Sequence, residues 1–325
     1  MNYLEEILKF LKNYPNKIKI MEICGTHTSV IHKSGIRSLL SENIKLVSGP
    51  GCPVCVTKMS YIDHLIELSN VGTILTFGDM VKVKGNEKSL SNVKNKQILY
   101  NPMSAIEIAS KNPQNKYYFA AVGFETTLPI YSLMLENCPK NLTLLTSLKA
   151  IIPALEYICT NEKDLDCFLA PGHVCAIIGS EPFEILSESY KKNIVITGFT
   201  PEHILLSVYT CIKMFEQKEY KVKNLYKNVV KKNGNEKALK LIRKYFALSD
   251  DYWRGIGDIE KSAYICNKAE NIQETEKNIK YCHCTDIILG RINPPDCPLF
   301  RKICTPLDAI GPCMVSDEGA CRIWY

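Results

Sequence analysis

The stretch YYFAAVGFETT, residues 117–127, joins a continuous apolar run to a glycine turn that leads into an amphipathic segment. An apolar run without alternation is typical of a strand buried on both faces, and strands separated by helices indicate a parallel sheet covered on both sides. The same alternation recurs along the chain and predicts two α/β units that divide near Val122. The predicted strands are Lys17–Ile23, Ile44–Val47, Thr73–Phe77, Gln97–Tyr100, Tyr117–Val122, Leu142–Thr146, Cys167–Leu169 and Asn193–Thr197. The predicted helices are Ser29–Leu40, Tyr61–Ser69, Ser104–Lys111, Thr127–Glu136, Pro153–Thr160 and Pro201–Gln217.

Composition and charge narrow the class of protein. Of the 325 residues, 46% are hydrophobic and 23% are charged, values typical of a globular protein with two or three domains. The chain begins with an amphipathic helical pattern rather than a signal peptide, and it has no apolar run long enough to span a membrane. We therefore expect a cytoplasmic protein with no membrane partner. The net charge of +6 is spread out. We interpret the densest basic stretch, Lys218–Lys244, as a solvated helix face and expect no nucleic-acid partner.

Six glycine- or proline-containing motifs directly follow predicted strands. Ligands of open parallel sheets bind at the carboxyl ends of the strands. Because several motifs carry Cys, His or an acidic residue, a shared site is favoured over six independent tight turns. The motifs occupy residues 24–28, 49–55, 78–79, 123–127, 171–173 and 198–202.

The first motif places Cys24 between a predicted strand and a predicted helix start. Helix N-termini stabilise thiolates, so we expect a lowered pKa for Cys24, with Thr26 or Thr28 as the N-cap residue. His27 either orients a ligand, pairs with the thiolate or has only a structural role at the cap. The motif is therefore a candidate nucleophile or soft-metal site.

The second motif contains Cys52-Pro-Val-Cys55, a spacing that suits a reversible disulfide or two ligands of one metal ion. The redox interpretation is favoured because no complete set of zinc ligands is apparent nearby. Asp79 and Glu125 are candidate acids at strand ends, with helix capping as the alternative. The sequence contains no P-loop, GxGxxG or HExxH motif and no Ser-His-Asp order, so a hydrolase or a nucleotide-dependent dehydrogenase is unsupported.

Fifteen cysteines are unusual for a cytosolic chain, and six of them lie between Cys282 and Cys321. Beyond about Gln273 the helical periodicity fades, which indicates a segment held by a metal centre. Zinc ribbons present tight CxxC pairs, whereas wide spacing with a Cys-Pro step favours an iron–sulfur cluster. Five scattered cysteines are interpreted as small buried hydrophobic residues: Cys138, Cys159, Cys167, Cys211 and Cys266.

Five motifs together resemble the HypD family of [NiFe]-hydrogenase maturation factors, and the resemblance runs from about Met21 to the end of the chain. They are Cys24–Thr28, Gly49–Cys55, Gly123–Thr127, Trp253–Gly257 and Gly311–Ser316.

The resemblance implies two parallel-sheet α/β domains around a cleft and a third, Cys-rich domain built from the chain termini around a [4Fe–4S] cluster. The chain then divides into four segments. Residues 1–20 are an N-terminal helix that packs with the C-terminal domain, residues 21–121 and 122–220 are the first and second α/β domains, and residues 221–325 are a helical segment and the Cys-rich domain. Cys24 matches the cysteine that holds the assembling iron, and Cys52 and Cys55 match a thiol pair between that site and the cluster. The implied cluster ligands are Cys282, Cys297, Cys304 and Cys321.

Members of this family work with the small chaperone HypC. They receive cyanide ligands from HypE, which acts downstream of HypF. The product, an iron carrying cyanides and carbon monoxide, passes to the hydrogenase large subunit. This implies an accessory maturation protein with thiol redox activity rather than a conventional turnover enzyme. His27, Glu125 and His173 are predicted to donate hydrogen bonds to cyanide nitrogens or the thiolate. The alternative is an iron–sulfur thiol–disulfide oxidoreductase acting on a diffusible or protein disulfide.

Two segments depart from the family pattern. Thr200 and His203 replace the usual acidic residues, and the segment Gly78–Gly85 has Lys where Arg and Pro are usual. The substitutions leave the roles of these segments open. The roles of Cys284 and Cys313 are also left open by the resemblance.

Overall fold

Two five-stranded parallel sheets form the framework of the computed structural model, which describes residues 3–271 and 282–325. The strands are β1 Ile18–Glu22, β2 Ile44–Ser48, β3 Thr73–Thr76, β4 Lys96–Ile98, β5 Tyr117–Gly123, β6 Leu142–Leu148, β7 Cys167–Pro171, β8 Asn193–Thr197, β9 Val222–Asn224, β10 Ala247–Trp253, β11 Gly257–Ile265 and β12 Glu270–Asn271. The helices are α1 Tyr3–Lys12, α2 Gly25–Lys33, α3 Ile36–Leu39, α4 Met59–Leu68, α5 Ser104–Lys111, α6 Leu128–Glu136, α7 Ile151–Asn161, α8 Gly172–Ile178, α9 Glu181–Tyr190, α10 Pro201–Glu216, α11 Glu236–Tyr245, α12 Cys284–Ile288, α13 Pro312–Val315 and α14 Ala320–Trp324.

The order of the strands differs from their order in the chain. The first sheet has the order β2-β1-β7-β8-β9, and the second has the order β12-β6-β5-β3-β4, with every neighbouring pair parallel. An antiparallel hairpin, β10–β11, lies between β9 and β12 in the chain. The first sheet is therefore built from segments that precede β3 and follow β6 of the second sheet.

The α/β class and all eight predicted strands are confirmed, with ends that shift by no more than two residues. The boundary near Val122, however, falls inside β5, so the sheets do not divide between residues 121 and 122. Sheet membership depends on pairings between distant strands, such as Ile20 with Cys167, which periodicity along the chain does not reveal.

The observed structure differs from the predicted helices in residues 29–40 and 218–244, and it contains a hairpin that was not predicted. The predicted helix over 29–40 is split into α2 and α3 at Gly35, whose φ of 66° is left-handed. In the basic stretch 218–244, the helix begins only at Glu236. The unpredicted hairpin has two aspartates and a bulge in β10, so its sequence lacks regular alternation.

The N-terminal helix packs against the first sheet rather than the Cys-rich segment. Ile7 and Leu11 of α1 are buried with Ile20 of β1 and Val208 of α10. This corrects the assignment of residues 1–20 to the C-terminal domain. The apolar face of α1 is covered by α10, which follows β8 of the same sheet.

Within the described residues, no helix combines the length and apolar character that crossing a bilayer requires. The predicted change of pattern at Gln273 lies outside the described residues.

Candidate thiol site and cysteine-rich centre

A cavity lies where the carboxyl ends of strands from both sheets meet. Its walls come from the segments after β1, β2, β5 and β7, and from the C-terminal segment. Cys24, Gly51, Phe124, His173 and Glu318 are among the residues that line it. Four of the six strand-end motifs therefore share one cavity.

Cys24 occupies the N-cap position of α2, where extended backbone gives way to the first helical turn. Backbone N–H groups of Thr26 and His27 donate to its sulfur, but desolvation by burial is the larger effect and raises the pKa of the thiol. The predicted lowering of the pKa is therefore wrong. The predicted threonine caps are also wrong, because Cys24 itself is the N-cap and both threonines lie inside α2, where Thr28 donates to Glu22 Oε2 at 2.5 Å.

Phe199 connects the sixth motif, residues 198–202, to this cavity through two imidazoles. Its ring stacks with His173 at a centroid distance of 3.9 Å and with His27 at 4.8 Å. His27 Nε2 lies 3.1 Å from the carbonyl oxygen of Gly198. Burial lowers the pKa of both histidines, that of His27 to about 4, so both rings are neutral at pH 7.

Glu125 does not line the cavity, although its neighbours Phe124 and Thr126 do. Its Oε1 accepts a 2.9 Å hydrogen bond from the N–H of Ile151, the first residue of α7. Burial raises its pKa to about 7. The carboxyl group thus caps α7, a helix 26 residues further along the chain, rather than the α6 that follows it.

A buried carboxyl group at the end of β1 was missed by the sequence analysis. Glu22 accepts hydrogen bonds from Thr28, Ser48 and Arg37 at 2.5, 2.9 and 3.3 Å, and burial raises its pKa to about 7. The Arg37 guanidinium also lies 4.3 Å from the ring centroid of Trp324. This network links the strand before Cys24 to the C-terminal helix. The only sequence signal was an acid at the end of an apolar strand.

Glu318 was also missed, because its contact with the first motif joins opposite ends of the chain. A Cβ atom placed at Gly25 would lie 2.5 Å from the Glu318 carbonyl oxygen. The C-terminal segment therefore closes directly over the start of α2, and only glycine permits this approach.

The third motif, residues 78–79, lies in a neighbouring groove. Gly78–Met80 forms a short 3₁₀ helix, and Asp79 lines the groove with Lys82, Asp317 and Arg322. Burial raises the Asp79 pKa. The prediction of one shared site therefore holds for five motifs, and the third motif meets the C-terminal segment beside it.

Cys52 and Cys55 are joined by a disulfide bond, with Cα atoms 5.2 Å apart. The two residues are only 6% and 1% exposed. Gly51 brings their loop onto the Cys24 backbone, because a Cβ atom there would lie 1.8 Å from the Ile23 oxygen and 2.7 Å from the Cys24 Cα. The disulfide loop is therefore packed directly against the first motif.

We expect Gly51→Ala to separate this loop from Cys24, because the added methyl group would overlap backbone atoms that cannot rotate away. The free energy of unfolding should fall by roughly 2 kcal/mol or more, measured by denaturant titration. Gly78→Ala is the control, since its nearest neighbour would be Ile98 Cγ2 at 3.9 Å. Equal losses in both variants would contradict the close packing of the loop.

A second cavity collects six cysteines of the C-terminal segment. Its remaining walls are apolar or glycine, and Cys304 Sγ accepts a 3.4 Å hydrogen bond from the N–H of Ile310. The sulfurs of Cys284 and Cys313 lie 2.7 Å apart. The cysteines that line the cavity are Cys282, Cys284, Cys297, Cys304, Cys313 and Cys321.

The scattered cysteines behave largely as predicted. Cys159, Cys167, Cys211 and Cys266 are buried, whereas Cys138 is half-buried. Cys52, Cys55 and the buried C-terminal cysteines belong to one continuous core cluster. The thiol pair and the cysteine-rich cavity are thus parts of the same interior.

Comparison with known proteins connects this arrangement to a family. A family model named HypD, described as "Hydrogenase formation hypA family", matches residues 1–325. The chain belongs to the HypD family. A putative hydrogenase expression/formation protein of Methanocaldococcus jannaschii is 39% identical over 95% of this chain and 92% of its own length. The hydrogenase maturation factors HypD of Escherichia coli and Rhodobacter capsulatus are 34% and 31% identical, over 95% of this chain and 88% and 89% of their lengths.

The departures from the HypD pattern at Thr200 and His203 have structural roles here. Thr200 is the N-cap of α10 and accepts a 3.3 Å hydrogen bond from the N–H of His203. The His203 ring packs against Gly198, where a Cβ atom would lie 2.3 Å from Nδ1. Both residues therefore support the turn that carries Phe199.

Proposed function

We propose that this chain is a [NiFe]-hydrogenase maturation factor that, with HypC, holds the iron on which the Fe(CN)₂CO moiety is assembled. The observation that supports this best is the cavity where Cys24, the disulfide loop and Glu318 meet. In this proposal the cytosolic chain receives cyanide through HypE, with HypF upstream, and the completed iron passes to the hydrogenase large subunit. The chain is then an accessory protein rather than a conventional turnover enzyme.

The iron cargo would bind Cys24 as a thiolate, since soft thiolate and cyanide ligands suit the same low-spin iron. Because burial raises the Cys24 pKa, iron binding must displace the thiol proton. A cysteine of HypC would supply a second soft ligand. His173 is the best-placed of the three predicted hydrogen-bonding residues, because it lines the cavity, whereas His27 Nε2 faces the carbonyl oxygen of Gly198 and Glu125 caps α7.

The alternative, turnover of a diffusible or protein disulfide, is disfavoured by burial of the thiol pair. Thiol–disulfide exchange requires that a thiolate reach the sulfur it attacks. At 6% and 1% exposure, Cys52 and Cys55 are shielded from an external partner. We infer that the pair exchanges electrons inside the protein, where reduction adds two electrons and two protons and gives two thiols.

The cysteine-rich cavity fits a [4Fe–4S] cluster in its chemistry, because thiols are its polar groups and the rest of its lining is apolar or glycine. Among the described residues, no three His, Cys, Asp or Glu side chains are placed to hold one metal ion. A zinc ion needs its sulfurs about 2.3 Å from one point, whereas cluster ligands bind different irons. When bound, a cluster stores and donates single electrons. The proposed ligands are Cys282, Cys297, Cys304 and Cys321.

Anaerobic co-purification with HypC, followed by infrared spectroscopy, tests the proposal. We expect cyanide and carbonyl stretching bands in the complex purified from cells that contain the remaining maturation proteins. The same preparation from cells without HypE should lack the cyanide bands. A complex that forms without any such bands, beside active hydrogenase, would contradict the proposed role.

We expect the Cys52–Cys55 disulfide to be reversible. Differential alkylation after a denaturing quench, read by mass spectrometry, should label both cysteines in reduced protein and neither in oxidised protein. Cys138, which is half-buried and free, should label in both. Stoichiometric zinc bound at Cys52 and Cys55 would refute the redox interpretation.

A further inference from the structure

Arg254 is a buried cation that the proposed function does not yet use. It belongs to the motif Trp253–Gly257, in the turn between β10 and β11, where Gly255 has a left-handed φ of 82°. Arg254 is 4% exposed. An arginine side chain keeps its charge even when buried, so the fold places a permanent positive charge in its interior at this turn.

The contacts of Arg254 join three segments. Its backbone N–H donates to the oxygen of Val56, the residue after the disulfide, at 3.0 Å. Its Nη1 donates to the Lys84 oxygen at 2.9 Å. The next residue, Gly255, packs on α12, since a Cβ atom there would lie 3.3 Å from Thr285 Oγ1. The hairpin turn therefore lies between the disulfide loop and the helix that carries Cys284.

The positive charge acts on the cysteine-rich cavity. Gly255, the residue after Arg254, packs against α12, and Cys284, the first residue of that helix, lines the cavity. Among residues 3–271 and 282–325, those that line the cavity are cysteines, Gly311 and apolar residues, so its wall itself carries no cation. The basic groups beside the hairpin, Lys58 and Lys149, are both paired with Asp251. Arg254 is thus a local source of positive potential for the cavity.

We propose that Arg254 is a positioning residue that fixes the disulfide loop against the cysteine-rich centre and supplies the charge that favours the reduced centre. The inference rests on the proposed function, because it assumes a cluster in this cavity. A one-electron reduction adds one negative charge to the cluster. A nearby buried cation stabilises the reduced form more than the oxidised one, and local charge is one of the factors that set cluster potentials.

The test is a redox titration of the anaerobic full-length protein, followed by electron paramagnetic resonance. Arg254→Gln should lower the equilibrium constant for one-electron reduction at least tenfold, which is 59 mV toward more negative potential. Arg254→Lys keeps the charge and should stay within threefold of the wild type. Lys302→Gln removes an exposed cation from the loop between Phe300 and Cys304 and should leave the potential unchanged.

The outcomes separate the two proposals. A wild-type chain without cluster signals or iron would defeat the proposed function. Wild-type signals with equal potentials in Arg254→Gln and Lys302→Gln would overturn only the inference, as would an equal shift in Arg254→Lys and Arg254→Gln. If Arg254→Gln fails to retain iron, retention by Arg254→Lys supports the role of the charge, and loss in both variants refutes it.

Discussion

Cys24→Ser should abolish the cyanide and carbonyl infrared bands of the complex with HypC. Serine nearly keeps the volume of the side chain but loses affinity for a soft metal. The substitution lies at an N-cap, where serine is favourable, so we expect normal folding. The variant should keep its cluster irons and bind HypC, while hydrogenase remains immature.

The matched control for this experiment is Cys138→Ser. Cys138 is a free, half-buried cysteine that follows α6 at the far side of the second sheet from the strand ends. It should show bands of wild-type intensity. Wild-type bands in Cys24→Ser would show that the iron is held elsewhere, and the proposed role of Cys24 would have to be abandoned.

Cys297→Ala and Cys304→Ala should each remove most of the iron, which we expect at about four atoms per chain in anaerobic protein. Both cysteines line the same cavity from different turns, so losing either thiolate leaves one iron without its protein ligand. The visible absorption should disappear and the C-terminal segment should become more sensitive to protease.

Cys284→Ala and Cys313→Ala are the controls, because these residues line the same cavity but are outside the proposed ligand set. They should retain most of the iron. Full retention of iron in both Cys297→Ala and Cys304→Ala would disprove the ligand assignment. Loss of iron only in Cys284→Ala and Cys313→Ala would show that these two cysteines, rather than Cys297 and Cys304, are cluster ligands.

Local patterns were sufficient to predict strands β1 to β8 and the convergence of five of the six strand-end motifs. Apolar runs such as 117–122 place a strand directly, and parallel strands end at a common edge, so the cavity with Cys24 and His173 followed from the chain order of motifs. Sheet membership did not follow, because β1 pairs with β7 across strands β3 to β6 of the second sheet. The contribution of Glu318 was hidden for the same reason, whereas the partners of Glu22 lie within 26 residues of it along the chain and an acid at the end of an apolar strand was its only sequence signal.

The Cys24 pKa shows how tertiary structure overrides a local rule. A helix N-terminus does favour a thiolate, and the N–H groups of Thr26 and His27 act in that direction. The Gly51 loop and the C-terminal segment, however, cover the start of α2. Desolvation by these distant segments has the larger effect on the Cys24 pKa, and no sequence pattern near Cys24 predicts it.

The interleaved sheet order also constrains the order in which a growing polypeptide can fold. Strands β3 to β6 form a contiguous block, so most of the second sheet can close while the chain is still being synthesised. Strand β1 can pair with β7 only after residues 167–171 have left the ribosome, and Glu318 is synthesised later than the strands of both sheets. The cavity around Cys24 is consequently completed only after residue 318 has been made, so a nascent fragment that lacks this residue does not present the finished cavity.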